Sequence, residues 1–82
     1  MPEVFRFYGY SFFFYNSREH EPLHIHVEGN GGKAKYEWNE TEFVLKEYQG
    51  IKASDLKRIK TIINDNADLI VIRWNHYFNK ED

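Results

Sequence analysis

The chain of 82 residues is long enough for one domain and lies near the lower size limit for a core that folds without staples. Aromatic residues make up 18% of it, so bulky side chains are available to fill such a core. The absence of cysteine excludes disulfides and thiolate zinc sites, and a net charge of −2 argues against a protein that coats nucleic acid. A run of about 18 apolar residues and a basic–apolar leader are both missing, which predicts a cytoplasmic protein without a membrane span.

Two short aromatic runs at residues 4–8 and 11–15 predict a β-hairpin. Gly9-Tyr10 between them fits the first-glycine pattern of a type II′ turn, because glycine adopts the required positive φ at little cost. The second run contains three consecutive phenylalanines, and alternation along a strand prevents all three from facing one core. We therefore expect Phe13 or its neighbours to lie on the opposite face as an apolar patch. A partner protein, a second copy of the chain or stacked bases could contact this patch, and the acidic pI favours a protein over bases.

Alternating apolar and polar residues predict two further strands, at 23–28 and 33–38, joined by a glycine-rich four-residue turn. The apolar members of both strands then share one face, and the register is well specified because a one-residue slip would scramble this arrangement. The expected pairs on the polar face are His24 with Glu37 and His26 with Lys35.

The dipeptide Asn39-Glu40 predicts a two-residue turn into another strand at residues 41–48. This register adds Glu42 to the polar face, beside Glu37. Both carboxylates are then expected close to the imidazole of His24, at the distance of cross-strand neighbours.

After Gly50 the apolar period changes from two to about 3.6 residues, which predicts helices. Ser54 is a candidate N-cap, and the helix dipole favours Asp55 in the first turn. Residues 67–79 are compatible with a strand or a helix, and the helix is favoured because their apolar stripe continues for three turns. The cations between residues 52 and 60 are interpreted as a solvated helix face.

The order of these elements predicts a single α+β domain over residues 1–82. A mostly antiparallel sheet of about five strands, within residues 4–48, precedes two helices within residues 54–80. The helices are expected to pack on one face of the sheet, which leaves the polar face open.

The segment His20-Glu21-Pro22-Leu23-His24 has the His-Glu-x-x-His spacing of zinc proteases. Those enzymes need this spacing on a helix, and Pro22 followed by a strand pattern rules that out. Instead, His24 and His26 alternate along a strand, so their imidazoles share a face with Cα atoms about 6–7 Å apart.

Three interpretations of this histidine pair stay open. The first is a solvated or ion-paired sheet face without a cofactor. The second is acid–base catalysis or nucleic-acid contact, with either histidine as the base and Lys35 or Arg18 beside the phosphate. The third is a metal ion, with zinc as the candidate cofactor, held by His24, His26 and Glu37. The candidate binding residues around the pair are His20, Arg18, Glu37, Glu42 and Phe13.

The segment Glu19-His20-Glu21-Pro22-Leu23-His24-Ile25-His26-Val27 resembles the Glu-His-x-Pro-Pro-His-x-His-Val signature of the bacterial domain-of-unknown-function 4160 family. The aromatic run at residues 12–15, Ala34-Lys35-Tyr36 and Trp74-Asn75 are similar to other parts of that family, so the resemblance covers nearly the whole chain. Leu23 departs from the pattern, because the family usually has a second proline there.

The resemblance implies a small bacterial cytoplasmic protein without an assigned reaction. Family members are often encoded beside another small protein, in an arrangement like a toxin–antitoxin pair. A regulatory protein that binds the neighbouring gene product is therefore the first functional hypothesis. A ribonuclease with His24 and His26 as acid and base is the alternative, and a metal-binding domain is the second alternative. A homodimer and a nucleic-acid ligand stay open.

Overall fold

The computed structural model describes residues 3–14 and 22–78, which form a five-stranded antiparallel sheet followed by two helices. The strands are consecutive neighbours in the sheet, in the order β1-β2-β3-β4-β5. This arrangement confirms the predicted α+β fold, including the helix predicted from residue 67. The elements are β1 (Glu3–Phe7), β2 (Tyr10–Phe13), β3 (His24–Gly29), β4 (Gly32–Trp38), β5 (Phe43–Gln49), α1 (Ala53–Asp65) and α2 (Ala67–Phe78).

Two-residue turns close the first and third hairpins, at Tyr8-Gly9 and Asn30-Gly31. Both residues of each turn have positive φ, 58° and 82° in the first and 50° and 82° in the second, as a type I′ turn requires. The predicted turn at Gly9-Tyr10 is therefore wrong by one residue. The reason is that Tyr10 is buried in β2, where its hydroxyl donates a 2.9 Å hydrogen bond to Asp55.

The register between β3 and β4 confirms the predicted pairs, with His24 opposite Glu37 and His26 opposite Lys35. The predicted register between β4 and β5 is wrong by two residues, because Glu37 lies opposite Val44 instead of Glu42. Glu42 belongs to the loop before β5 and lies outside the polar face.

The side chain of Asn39 is the physical reason for this shift. Its Oδ1 atom accepts hydrogen bonds from the backbone N–H groups of Thr41 and Glu42, each at 2.9 Å. Its own N–H donates to the Glu42 carbonyl oxygen at 3.0 Å. These bonds stabilise a four-residue loop in place of the predicted two-residue turn. Further along, β5 carries a bulge that leaves Lys46 without a residue opposite it.

The hydrophobic core lies between one face of the sheet and the two helices. Each fully buried large side chain contributes about 1.5–3 kcal/mol, which exceeds the contribution of an exposed ion pair. The core therefore determines how the helices sit on the sheet. Its fully buried members include Phe12, Phe14, Ile25, Val27, Phe43, Ile59, Ile63 and Ile70. Within the described residues, neither helix has the length and hydropathy needed to span a bilayer.

Helix α1 begins one residue before the predicted cap. Lys52 occupies the N-cap position without a side-chain hydrogen bond, so the predicted role of Ser54 as N-cap is wrong. Asp55 does lie in the first turn, as predicted. Its carboxylate accepts the hydrogen bond from Tyr10, and this tertiary bond attaches the start of the helix to the sheet in place of a local cap.

Two further hydrogen-bonding side chains join α1 to the sheet. The hydroxyl of Tyr36 donates to the Leu56 carbonyl oxygen at 3.0 Å. The amide of Asn64 makes a pair of bonds with Phe43: its Oδ1 accepts from the backbone N–H at 2.8 Å, and its Nδ2 donates to the carbonyl oxygen at 3.2 Å. A side-chain amide here takes the place of a neighbouring strand at the start of β5.

Replacing this amide gives the first prediction. We expect Asn64→Ala to lower the free energy of unfolding by about 1–3 kcal/mol, because both backbone groups of Phe43 lose their partner. Urea unfolding followed by tryptophan fluorescence measures the change. Asn75→Ala, an exposed substitution on α2, serves as the control and should stay within about 0.5 kcal/mol of the wild type. Equal effects of the two substitutions would contradict the proposed role of Asn64.

Tyr36 gives a prediction about alkaline pH. Burial raises its pKa from 10.0 to about 12, because the charged phenolate is poorly solvated in the core. The unfolded chain therefore loses this proton first as the pH rises. The contribution of Tyr36 to stability is constant below pH 10 and falls by about 1.4 kcal/mol per pH unit between 10 and 12.

Urea unfolding of the wild type and of Tyr36→Phe, at about pH 9 and about pH 11, measures how the free energy of unfolding changes with pH. We expect the variant to be less stable at the lower pH, by about 0.5–1.5 kcal/mol for the lost hydrogen bond. Its stability should also decline less steeply with pH. Parallel declines in the two proteins would rule out titration of Tyr36 as a cause.

Candidate binding groove on the open face of the sheet

The face of the sheet opposite the core carries a groove of about 480 Å³ that crosses four strands. We call it the sheet-face groove. Side chains of both charge signs lie along it beside an aromatic ring, in contrast to the apolar packing of the core face. It is lined by Phe13, His26, Val27, Glu28, Lys33, Ala34, Lys35, Glu47, Tyr48 and Gln49.

The strand register explains why these residues meet. Phe13 lies opposite His26, and His26 lies opposite Lys35. The β5 bulge then brings Glu47 opposite Lys35. One row across the sheet therefore contains an aromatic ring, an imidazole, an ammonium group and a carboxylate.

The ring of Phe13 packs against the imidazole of His26, with their centroids 5.6 Å apart and their planes 18° from parallel. Phe13 is buried although it lies on the face opposite the core, which confirms that the three phenylalanines do not all face inward. The stacked pair forms one wall of the groove. The stacking orients the imidazole of His26, and Lys35 lies on the opposite side of His26 from Phe13.

Glu37 lies next to this row and interacts with two cations. Its carboxylate oxygens are 3.9 Å from Lys35 Nζ and 4.0 Å from Lys46 Nζ. About a quarter of the Glu37 side chain is exposed, so each ion pair contributes at most about 1 kcal/mol. The carboxylate that was predicted to lie beside His24 therefore forms ion pairs with these two lysines.

His24 shares the face of His26 but differs from it in exposure. It is only 3% exposed, and its ring makes edge contacts with Trp74 at 5.3 Å and with His26 at 5.1 Å. Its Nδ1 atom is 2.9 Å from the Pro22 carbonyl oxygen. Because a carbonyl can only accept, Nδ1 carries the hydrogen and donates it. His24 is therefore a packed and hydrogen-bonded residue beside the groove, whereas His26 lines the groove.

The structure gathers only part of the predicted site. Phe13, His26 and Lys35 come together, while Glu42 does not join them. The binding candidates His20 and Arg18 lie outside the described residues. Among the residues that are described, no group of three His, Cys, Asp or Glu side chains is placed to hold a metal ion.

Sequence reasoning missed the wall of the groove formed by residues 47–49 of β5. The alternation pattern does not reveal the bulge at Lys46. The register counted from the predicted turn therefore pairs residues 47–49 with the wrong residues of β4. The exposed Tyr48 was a usable signal, because a large aromatic residue near the end of a polar strand often belongs to a contact surface.

The model of the family described as domain of unknown function DUF4160 matches residues 9–75, from the first hairpin to the last turns of α2. The chain belongs to this family. That description names no reaction or ligand for DUF4160 proteins. No curated protein and no solved structure matches the chain significantly. The groove and the surrounding surfaces are therefore the features of this DUF4160 protein that bear on its function.

The hydrogen bond of His24 gives a third prediction. An asparagine amide mimics a donor at Nδ1, whereas a glutamine amide mimics one at Nε2. We therefore expect His24→Asn to retain more stability than His24→Gln, by about 0.5–1.5 kcal/mol, since only asparagine reaches the Pro22 carbonyl oxygen. Urea unfolding of both variants measures the difference, and ¹⁵N NMR of the wild type identifies the protonated nitrogen. A wild-type His24 protonated only at Nε2 would contradict this assignment.

Proposed function

We propose that this chain is a non-catalytic interaction protein that binds a partner protein through the sheet-face groove, as the regulatory member of a toxin–antitoxin-like pair. The observation that carries the proposal is the row of Phe13, His26, Lys35 and Glu47 across four strands. The partner is the small protein encoded beside it, as the family resemblance implies. The groove supports the contact, and the resemblance supports the choice of partner.

The charge pattern of the groove favours a protein ligand. Glu28 lies opposite Lys33, and Lys35 lies opposite Glu47, so cations and anions alternate across the floor. Small-molecule pockets are mostly apolar, with few polar groups. Protein interfaces instead combine aromatic anchors with a polar rim. A partner segment that carries both charge signs and an apolar side chain against the exposed ring of Tyr48 fits this floor.

The arrangement of the histidines supports binding over catalysis. An acid–base mechanism of the predicted kind needs two groups that reach the same substrate. His26 lines the groove, but His24 is buried and its Nδ1–H is bonded to the Pro22 carbonyl oxygen. The ammonium group of Lys35 is close to the carboxylate of Glu37. Within the described residues, the predicted catalytic set is thus divided, because His26 and Lys35 line the groove and His24 is packed beside it.

Charge reversal in the groove tests the proposal. The chain and the product of the neighbouring gene are co-expressed, and the complex is measured by sizing chromatography and calorimetry. We expect a stable complex that Lys35→Glu weakens by about 10-fold or more, because like charges then face each other across the interface. Lys60→Glu makes the same charge change outside the groove and is the matched control. Its affinity should stay within about twofold.

Two results would overturn the partner proposal. One is clean separation of the two proteins at micromolar concentration. The other is a complex that tolerates both Lys35→Glu and Tyr48→Ala while the variants remain folded, as judged by circular dichroism. In the second case the partner would bind elsewhere on the chain.

A ribonuclease is the second candidate, and the direct pairing of His26 with Lys35 in the groove favours it. Here the imidazole takes the proton of the ribose 2′-hydroxyl as the 2′-oxygen attacks the adjacent phosphorus and the P–O5′ bond breaks. The leaving oxygen takes a proton from water, and the ammonium group neutralises charge on the phosphate. Expression of the gene alone should then arrest growth and degrade RNA, and His26→Ala should abolish both effects. His76→Ala, an exposed substitution on α2, is the control. Full toxicity of a folded His26→Ala variant would eliminate this candidate.

A further inference from the structure

A second groove, of about 510 Å³, lies where the tip of the β1–β2 hairpin meets helix α1. It shares no lining residue with the sheet-face groove. Its walls combine two exposed aromatic rings, two cationic side chains and two hydroxyl groups. We call it the basic–aromatic surface, and these residues are Phe7, Tyr8, Lys57, Arg58, Ser54 and Thr61.

The two rings are unusually accessible for this protein. Phe7 is 52% exposed and Tyr8 is 50% exposed, whereas most other large aromatic side chains of the sheet are buried. Their planes are 27° from parallel, with centroids 6.4 Å apart. The guanidinium carbon of Arg58 lies 4.5 Å from the centroid of the Tyr8 ring. This cation–π contact holds a positive charge beside the exposed rings.

The backbone at Tyr8 adds an independent observation. Tyr8 has a φ of 58°, a left-handed conformation that is costly for a bulky residue and that type I′ turns normally fill with Asn, Asp or Gly. The second type I′ turn of this sheet does have asparagine at the corresponding position, Asn30. A tyrosine is thus kept where asparagine would fit the backbone better. Such strain is typical of sites where the side chain has a function.

The charge near these rings differs from that of the whole chain. Residues 52–60 contain four cations and one acid, while the net charge of the chain is −2. The single acid, Asp55, is already bonded to the hydroxyl of Tyr10. Lys57 and Arg58 are exposed beside the rings. The local potential is therefore positive, which suits an anionic ligand.

We propose that the basic–aromatic surface binds single-stranded nucleic acid. An unpaired base stacks on the exposed ring of Phe7, and the adjacent phosphates contact Lys57 and Arg58. Aromatic platforms beside a cationic groove are the means by which proteins hold single strands without reading sequence. Bases of a duplex are stacked on each other and cannot use the rings, so the surface favours single strands.

Fluorescence anisotropy with the full chain and a labelled RNA of about 12 nucleotides tests this proposal. We expect binding at low salt that weakens as salt increases, because bound phosphates displace counterions. The same RNA annealed to its complement should bind at least about 10-fold more weakly, because its bases are stacked in the duplex. Arg58→Ala should weaken single-strand binding by about 10-fold. Arg73→Ala on α2 makes the same charge change outside the groove, and its affinity should stay within about twofold.

The variant Tyr8→Asn separates the function of this residue from a structural effect. Asparagine suits the turn, so the free energy of unfolding should be unchanged or higher, while RNA affinity should fall. The titration uses the chain without its partner protein, so the result is independent of the proposed partner binding. Absence of binding at low salt would overturn the proposal. Equal affinity for duplex, or equal losses in Arg58→Ala and Arg73→Ala, would overturn it as well.

Discussion

The pleat of β3 and β4 is the constraint on which both faces of the sheet depend. Alternate residues point to opposite sides, so one register determines the core and the sheet-face groove together. Ile25 and Val27 are fully buried on one side, while His26 lies opposite Lys35 on the other. Burial of each aliphatic side chain contributes about 1.5–3 kcal/mol, against about 0.2–1 kcal/mol for a polar cross-strand pair. The core therefore sets the register, and the groove residues can be selected for binding instead of stability.

The alternation of side chains along a strand also explains why the sequence predicts the face of a residue more accurately than the position of a turn. The first turn lies at Tyr8-Gly9, one residue before the prediction, and this displaces the register of its hairpin by two residues. The loop organised by Asn39 also displaces the β4–β5 register by two. A displacement of two restores the side chains before the β5 bulge to their expected face, so Phe43 remains in the core. Beyond the bulge the displacement is three, and Glu47 lies opposite Lys35 on the polar face instead of the expected apolar face. Turn geometry depends on single hydrogen bonds and on non-glycine residues with positive φ, such as Tyr8 and Glu40, which periodicity does not detect.

The environments of the two histidines could not be predicted from their spacing. His24 and His26 share a strand and a face, yet Trp74 packs on His24 while His26 lines the groove. Trp74 follows His24 by about fifty positions and reaches it only because α2 docks on the sheet. Periodicity states which side of a strand a residue faces, whereas tertiary packing determines whether that side is covered. A pair of histidines that looks symmetric in sequence therefore consists of one buried residue and one that lines the groove.

The β1–β2 hairpin belongs to both proposed surfaces. Phe13 contributes to the sheet-face groove, and Phe7 and Tyr8 contribute to the basic–aromatic surface. Tyr10, opposite Phe7, precedes Phe13 by three residues, so the two surfaces are only about 10 Å apart along β2. They share no lining residue, so a ligand in one surface occupies none of the groups that line the other. Their charges also differ: the groove balances lysines with glutamates, whereas residues 52–60 are mainly cationic. A partner protein and a nucleic acid would thus be selected by different chemistry and held by one hairpin at the same time.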